Sequence, residues 1–313
     1  MVAVRILLLL ISPLSFAGDN FIEIKTKGTN NSITVKQIGN GNSSTILCGA
    51  EVGGTGYSAH TCTNATYNIQ VDGNSNIANM LTVWSNNIGN NYSIEISGND
   101  NTAIVDQDED DNVSEIKQTG NSNTAEQLGS GDDNYYVITQ TGNTKYAKIL
   151  DFGDAGIKYI TQTGTGAHNA YVYSNGTAHR NELDITQSDS GNKDADIFFY
   201  SSDNDVSLTQ SGVGAHTANM TFNTSDYIVD VTQTGSTNQS YTAVFNCTAE
   251  CTKTITITQQ KILQAVNLAP SEDWVEKIVE VHPMKQIVWM SIVQVCVFGF
   301  MLLSFTTINL YVS

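Results

Sequence analysis

Along most of the chain, short runs of alternating apolar and polar residues end in an amide. Val137-Ile138-Thr139-Gln140, Val206-Ser207-Leu208-Thr209-Gln210 and Val229-Asp230-Val231-Thr232-Gln233 bring an aliphatic residue to one face at every second position before a closing glutamine. A period of two marks a strand with one buried face. Two residues beyond the closing position stands a glycine, which predicts a turn: Gly39, Gly73, Gly98, Gly120, Gly142, Gly164, Gly212 and Gly235. Further strand-forming residues follow each turn. The predicted unit is strand, turn, strand, turn. About 22 residues hold two strands of roughly 6–7 residues and two tight turns.

The unit repeats. Its fullest form is Gln-x-Gly-x-x-Asn-x-Ala, as in Gln118, Gly120, Asn123 and Ala125. Closing positions fall at Gln37, Val71, Ile96, Gln118, Gln140, Gln162, Gln187, Gln210, Gln233 and Gln259, so Val71 and Ile96 stand where the others carry glutamine. Asn42, Asn76, Asn101, Asn123 and Asn238 follow five residues later, and Asn31, Asn90, Asn112, Asn134, Asn181 and Asn204 precede by six. Most steps are 22 to 26 residues; the first is 34. One such unit cannot bury its apolar face, but stacked units can. The sequence therefore predicts an all-β protein, a β-solenoid of about ten strand-turn-strand rungs, roughly 48 Å long at one inter-strand spacing per rung. Stacking brings like amides into register, and a ladder of amides satisfies each from the rungs above and below.

Over residues 20–260 this pattern resembles curlin, the repeat of bacterial curli fibre subunits, whose form is Ser-x5-Gln-x-Gly-x-x-Asn-x-Ala-x3-Gln. Asn101, Ala103 and Gln107 keep its last step, and Asn often stands where curlin has Ser. The resemblance implies export, amyloid-type polymerisation and a role in adhesion and biofilm matrix. It implies partners of the same kind, either copies of this chain or other curlin-like subunits meeting at the solenoid ends. The chain departs from the family in its greater number of repeats, its cysteines and its tail.

Charge narrows the class. Lys and Arg number 14 against 31 Asp and Glu, for a net charge of −17. That excludes a nucleic-acid partner, which needs a basic footprint. Only 14% of residues are charged and 40% are hydrophobic, a mixture suited to repetitive β structure.

Arg5, the apolar run after it and Ser15-Phe16-Ala17 read as a secretory leader over residues 1–17. The repeat body is residues 18–260. Residues 261–285 read as a linker containing a short amphipathic helix, with Trp274, Val275, Ile278 and Val279 on its apolar side. Residues 286–313 form a hydrophobic tail. Within it, residues 287–308 carry no charge and predict a hydrophobic helix long enough to cross a bilayer, which makes a membrane a second expected partner. In an oxidising compartment Cys48 with Cys62, and Cys247 with Cys251, are candidate disulfides, each inside a stretched repeat. Cys296 reads as a free thiol.

Nothing in the sequence predicts an enzyme, a cofactor or a metal. His168 and His216 occupy equivalent turns of sister repeats and read as structural; His60, His179 and His282 fit no zinc spacing. Asp106, Asp108, Glu109, Asp110 and Asp111 read as a solvated acidic turn rather than a calcium loop. Thr139 with Thr141, Thr161 with Thr163, and Thr232 with Thr234 form an outward row, interrupted by Lys117, Ser188 and Ser211. It reads as β-propensity, with an ice-binding face as the rival. The leading expectation is a structural cell-surface or secreted protein, a curlin-like fibre subunit, nucleator or adhesin. The alternative is a membrane-tethered solenoid that binds polysaccharide or ice.

Overall fold

The computed structural model of the chain describes residues 5–7, 20–49, 62–82, 88–108, 110–153, 156–175, 180–200, 202–223, 226–236, 238–246, 253–259, 279–281 and 309–312. They form a parallel β-solenoid of about nine turns, and no helix occurs among them. Each coil contributes one strand to each of two sheets. The anchor sheet holds the strands that run into the repeat's closing position, and the return sheet holds those after the turn. Coil 1 is Ser32–Ile38 with Ser44–Cys48, and coil 2 is Thr66–Asp72 with Asn79–Thr82. Coils 3 and 4 are Asn91–Ile96 with Ile104–Gln107 and Val113–Lys117 with Ala125–Gly129. Coils 5 and 6 are Tyr135–Ile138 with Ala147–Asp151 and Ile157–Ile160 with Ala170–Ser174. Coils 7 to 9 are Glu182–Thr186 with Lys193–Phe199, Asn204–Thr209 with His216–Phe222, and Tyr227–Gln233 with Gln239–Phe245. Half-coils flank them: return strand Ile22–Thr26 before coil 1, and anchor strand Lys253–Gln259 after coil 9. The ten closing positions thus make nine full coils, because the last lacks a described return strand of its own.

Alternation decides which side chains meet. In coil 1, Ile33, Val35 and Gln37 point inward while Ser32, Lys36 and Ile38 are exposed. The same slots hold Tyr92, Ile94 and Ile96 in coil 3 and Leu183, Ile185 and Gln187 in coil 7. On the return sheet the repeat's alanine, Ala103, Ala125, Ala147 or Ala170, is fully buried because the two sheets close up there. Toward the C-terminal end the return sheet grows aromatic. Phe199, Phe222 and Phe245 stack in one column, with ring centroids of Phe222 and Phe245 5.2 Å apart. A fully buried side chain of this size contributes roughly 1.5–3 kcal/mol, so every coil supports its neighbours and none is stable alone.

The ends differ from the middle. Val279–Val281 pairs antiparallel with Lys253–Gln259, and Asn309–Val312 pairs parallel with Gln239–Phe245. Val279, expected on a helix, therefore lies in a strand, whose backbone can satisfy the open edge of the last anchor strand. The remainder of that helix and residues 287–308 lie outside the described residues; among those described, no helix is long and apolar enough to cross a membrane. At the other end Arg5–Leu7 pairs parallel with Ser32–Ile38. The outer edge of Ile22–Thr26 pairs with no strand among the described residues.

Candidate functional site: the internal ladders and the solenoid ends

The closing glutamines form a chain of side-chain amides through the interior. Gln118 donates to Gln140 (3.0 Å), Gln140 to Gln162 (2.9 Å), Gln162 to Gln187 (2.9 Å), Gln187 to Gln210 (3.1 Å) and Gln210 to Gln233 (3.0 Å). An amide has two N–H donors, and the second closes the turn of the same coil. Gln140 reaches the Tyr146 carbonyl (2.7 Å), Gln162 that of Asn169 (2.8 Å) and Gln210 that of Thr217 (2.8 Å). Each glutamine thus fixes both its turn and the register to its neighbour. Gln37 is cut off from this ladder by Val71 and Ile96 and donates only to the Ser43 carbonyl (3.0 Å). Gln259 closes the last anchor strand in the same inward slot, at the edge of the described body.

Asn42, Asn76, Asn101 and Asn123 form a second buried ladder on the far side of the turn. Asn76 donates to Asn42 (2.8 Å), Asn101 donates to Asn76 (2.7 Å), and the Asn123 and Asn101 amides lie 2.8 Å apart. Asn238 does not join it. Its side chain is exposed and its backbone is left-handed, at φ 64°. The turn of coil 9 is one residue longer, so Gln239 is the residue in register with His216.

In coils 5 to 8 this column changes character, to Lys145, His168, Lys193 and His216, all buried. Their partners are backbone carbonyls. Lys145 Nζ donates to Gly164 (2.7 Å) and Asn143 (3.1 Å), Lys193 Nζ to Gly212 (2.8 Å) and Gly191 (3.1 Å), and His168 Nε2 lies 2.8 Å from the Thr163 oxygen. Burial holds both histidines below their ordinary pKa and pushes Lys145 down to about 8. The sequence places His168 and His216 in equivalent turns, and the structure puts their rings in the inward column, against backbone carbonyls.

Two further amide ladders line the turns. Asn40, Asn74, Asn99, Asn121 and Asn143 are left-handed, and their backbone N–H groups donate up the column: Asn40 to Asn74, Asn74 to Asn99, Asn99 to Asn121 (2.5 Å) and Asn121 to Asn143 (2.5 Å). The repeated Gly-Asn dipeptide is the signal for it. Gly39, Gly73 and Gly98 are themselves left-handed, whereas at Gly120 and Gly142 only the following Asn is. At Gly164, Gly212 and Gly235 the glycine again lacks that conformation, and in the first two of these turns it falls on the flanking Thr163, Thr165, Ser211 and Val213. On the opposite corner the N–H of Ala65 donates to Asn90 (2.9 Å), that of Asn90 to Asn112 and that of Asn112 to Asn134 (3.0 Å each).

Cys48 and Cys62 are disulfide-bonded, with Cα atoms 6.1 Å apart. The bond closes the stretched first repeat between coils 1 and 2. Cys247, Cys251 and Cys296 lie outside the described residues, as do His60, His179 and His282. Among the described residues no group of three or more His, Cys, Asp or Glu is placed to hold a metal ion. The acidic run is part of a corner: Ser130 Oγ donates to Asp108 (3.1 Å) and the Asp132 N–H to Asp110 (2.7 Å).

Two outward surfaces are ordered by the same stacking. On the anchor sheet Thr186, Thr209, Thr232 and Thr258 are in lateral register, and Thr139 and Thr161 precede them in the column. On the return sheet of coils 5 to 7 an aromatic track runs along the axis. Phe152 meets Tyr173 at 5.9 Å, Tyr173 meets Tyr200 at 5.5 Å and Tyr171 meets Phe198 at 5.7 Å between ring centroids.

No family model matches the chain, and neither a curated protein nor a solved structure shows significant similarity to it. The fold itself defines the class, a two-sheet parallel β-solenoid with amide ladders.

Proposed function

We propose that the chain is a structural surface or secreted protein, a curlin-like subunit that grows by strand addition at its N-terminal end. The observation that carries this reading is the outer edge of Ile22–Thr26, which pairs with no strand among the described residues. The Ile22 N–H donates toward coil 1, to Ser43 (3.2 Å), and the Thr26 carbonyl accepts from Gly49 (2.8 Å). Backbone direction alternates along a strand, so Glu23 and Lys25 turn their N–H and C=O outward, ready to pair with another chain. Phe21 beside them is exposed. Among the described residues the neighbouring anchor-sheet end is covered by Arg5–Leu7 alone, which lies in the segment read as a leader and would leave with it. The far end is covered by Val279–Val281 and Asn309–Val312. Head-to-tail growth therefore needs an incoming copy to give up these two short strands before its own C-terminal end can meet the Ile22–Thr26 edge.

The test is growth of the chain from residue 18 onward, oxidised and at neutral pH. Fibres with a cross-β spacing of about 4.8 Å that extend from one end only are the expected outcome. A solenoid that stays monomeric, or fibres that extend equally from both ends, contradicts the reading.

A second reading has its own observation. The aromatic track at Phe152, Tyr171, Tyr173, Phe198 and Tyr200 repeats along the axis, as would the units of a polymeric ligand. Aromatic rings offer flat apolar faces with polar edges, which suits a polysaccharide. Co-sedimentation with insoluble polysaccharide, lost in Tyr173→Ala with Tyr200→Ala, would favour this reading over strand addition.

A further inference from the structure

Three inward slots depart from the repeat together where coils 5, 6 and 7 meet. The slot six residues before the closing position, asparagine in Asn90, Asn112, Asn134 and Asn181, is Gly156 in coil 6. Two residues on, where other coils bury Tyr136 or Leu183, stands Lys158. Facing it, at the end of the coil 5 return strand, stands Asp151. The Lys158 and Asp151 side chains are 0% and 1% exposed, with Nζ 2.6 Å from Asp151 Oδ2. Lys158 Nζ also lies 2.7 Å from Asn181 Oδ1 in coil 7. The other Asp151 oxygen is held by the Tyr136 hydroxyl (3.2 Å) and the Gly153 N–H (3.3 Å). Gly156 is required for this arrangement. A Cβ there would stand 2.6 Å from both Asp151 Oδ2 and Lys158 Nζ.

A buried ion pair is a poor way to stabilise such a slot. Desolvation costs several kcal/mol per ion, and apolar residues of like size serve as well. The surrounding groups instead match the needs of acyl transfer. A lysine in a dry site lies near an amide carbonyl, with a fixed carboxylate as proton acceptor and an N–H donor on the carbonyl oxygen. That donor is the Gly156 N–H, 3.3 Å from Asn181 Oδ1.

We propose that Lys158 and Asn181 become joined by an intramolecular isopeptide bond that the folded chain forms by itself. Lys158 gives a proton to Asp151 and its neutral Nζ attacks Asn181 Cγ. The Gly156 N–H supports the oxyanion that develops on Oδ1. The Cγ–Nδ2 bond then breaks as Asp151 passes its proton to Nδ2, the freed Asp151 carboxylate takes the second Nζ proton, and one ammonia leaves, carrying that last proton away as ammonium at neutral pH. The product is a secondary amide between adjacent coils, with no net oxidation and no added reagent. Burial favours the neutral amine, lowering the Lys158 pKa against the opposing pull of Asp151. The bond would tie coil 6 to coil 7 covalently and does not depend on whether the chain polymerises.

The experiment is mass spectrometry of the purified full chain after reduction. The expected mass is one ammonia below that of the sequence. Trypsin should fail to cut after Lys158 and should yield residues 149–180 and 181–193 as one branched species. Lys158→Met and Asp151→Ala should each restore the full mass. An unmodified wild-type mass with normal cleavage after Lys158 would overturn the proposal, whatever the variants do. Loss of water in place of ammonia, with the branch at Asp151, would overturn the assignment of Asn181 as acyl donor.

Discussion

At the scale of single residues, position in a ladder decides what a buried amide is worth. Gln162 accepts from Gln140 and donates to Gln187. Gln162→Ile therefore orphans an N–H on one side and a carbonyl on the other, at about 1–3 kcal/mol for each orphaned group. Gln118 is the first rung of the same ladder, beside coils that already carry Val71 and Ile96 in its slot. Along the ladder Gln118→Ile orphans only the Gln140 carbonyl, and it extends an apolar column; off the ladder it frees the Thr124 carbonyl of its own turn, as Gln162→Ile frees that of Asn169, and a long bond from the Thr102 N–H (3.4 Å). Denaturant unfolding should show Gln162→Ile to be the more damaging of the two; equal losses would mean that the ladder does not act as a connected chain. The glutamine slots, the first four asparagine slots and the Cys48–Cys62 bond were legible in the sequence because each repeats or brackets a repeat. Asn238 was not, because a turn one residue longer shifts Gln239 into its place. The meeting of Asp151, Lys158 and Asn181 was also hidden. It depends on closure of the coil, which brings together slots from three repeats that no periodic pattern links.

At the scale of elements, the buried column Lys145, His168, Lys193 and His216 makes stability depend on pH. The two histidines have folded pKa values lowered by burial, the largest cause, so the folded state favours their neutral form. Their contribution is complete above the unfolded value of about 6.5 and is lost as pH falls below it. Lys145, held at about 8, loses its share earlier, as pH falls from the unfolded lysine value toward 8. Burial raises Asp106, Asp184, Asp194 and Asp205, which works in the opposite direction but nearer the carboxylate range. Unfolding between about pH 7.5 and about pH 5.5 should therefore isolate the histidines. The wild type should lose stability over that window, and His168→Gln with His216→Gln should lose less. An unchanged slope in the double variant would contradict the role given to this column. The disulfide acts on a different element, the loop between coils 1 and 2, with a sequence separation of 14. Cys48→Ala with Cys62→Ala should cost about 3 kcal/mol by loop entropy, measured against the oxidised wild type. The turn ladder from Asn40 to Asn143 shows how local chemistry and stacking agree. Asparagine tolerates the left-handed conformation, and its side chain then caps the turn of the preceding coil.

At the scale of the whole molecule, the solenoid is a one-dimensional stack of coils whose inner strands are paired on both sides, while Ile22–Thr26 is paired on one side only among the described residues. The periodicity of the sequence was enough to predict the β-solenoid and its rung count to within one coil: about ten expected, nine full coils found. It could not show which end is covered. That depends on where the short strands Arg5–Leu7, Val279–Val281 and Asn309–Val312 pair, and their sequences carry no repeat. Growth by strand addition requires that Ile22–Thr26 present a working edge. Its most direct test is seeded growth, followed by electron microscopy, of the chain from residue 18 onward with Glu23→Pro and Lys25→Pro. Both prolines remove N–H groups that face away from coil 1 and leave the bonds of Ile22 and Thr26 to coil 1 intact. The parent chain should elongate, while the double variant should keep its unfolding transition and not grow. Equal growth of both chains, or growth of neither, would contradict strand addition at this edge.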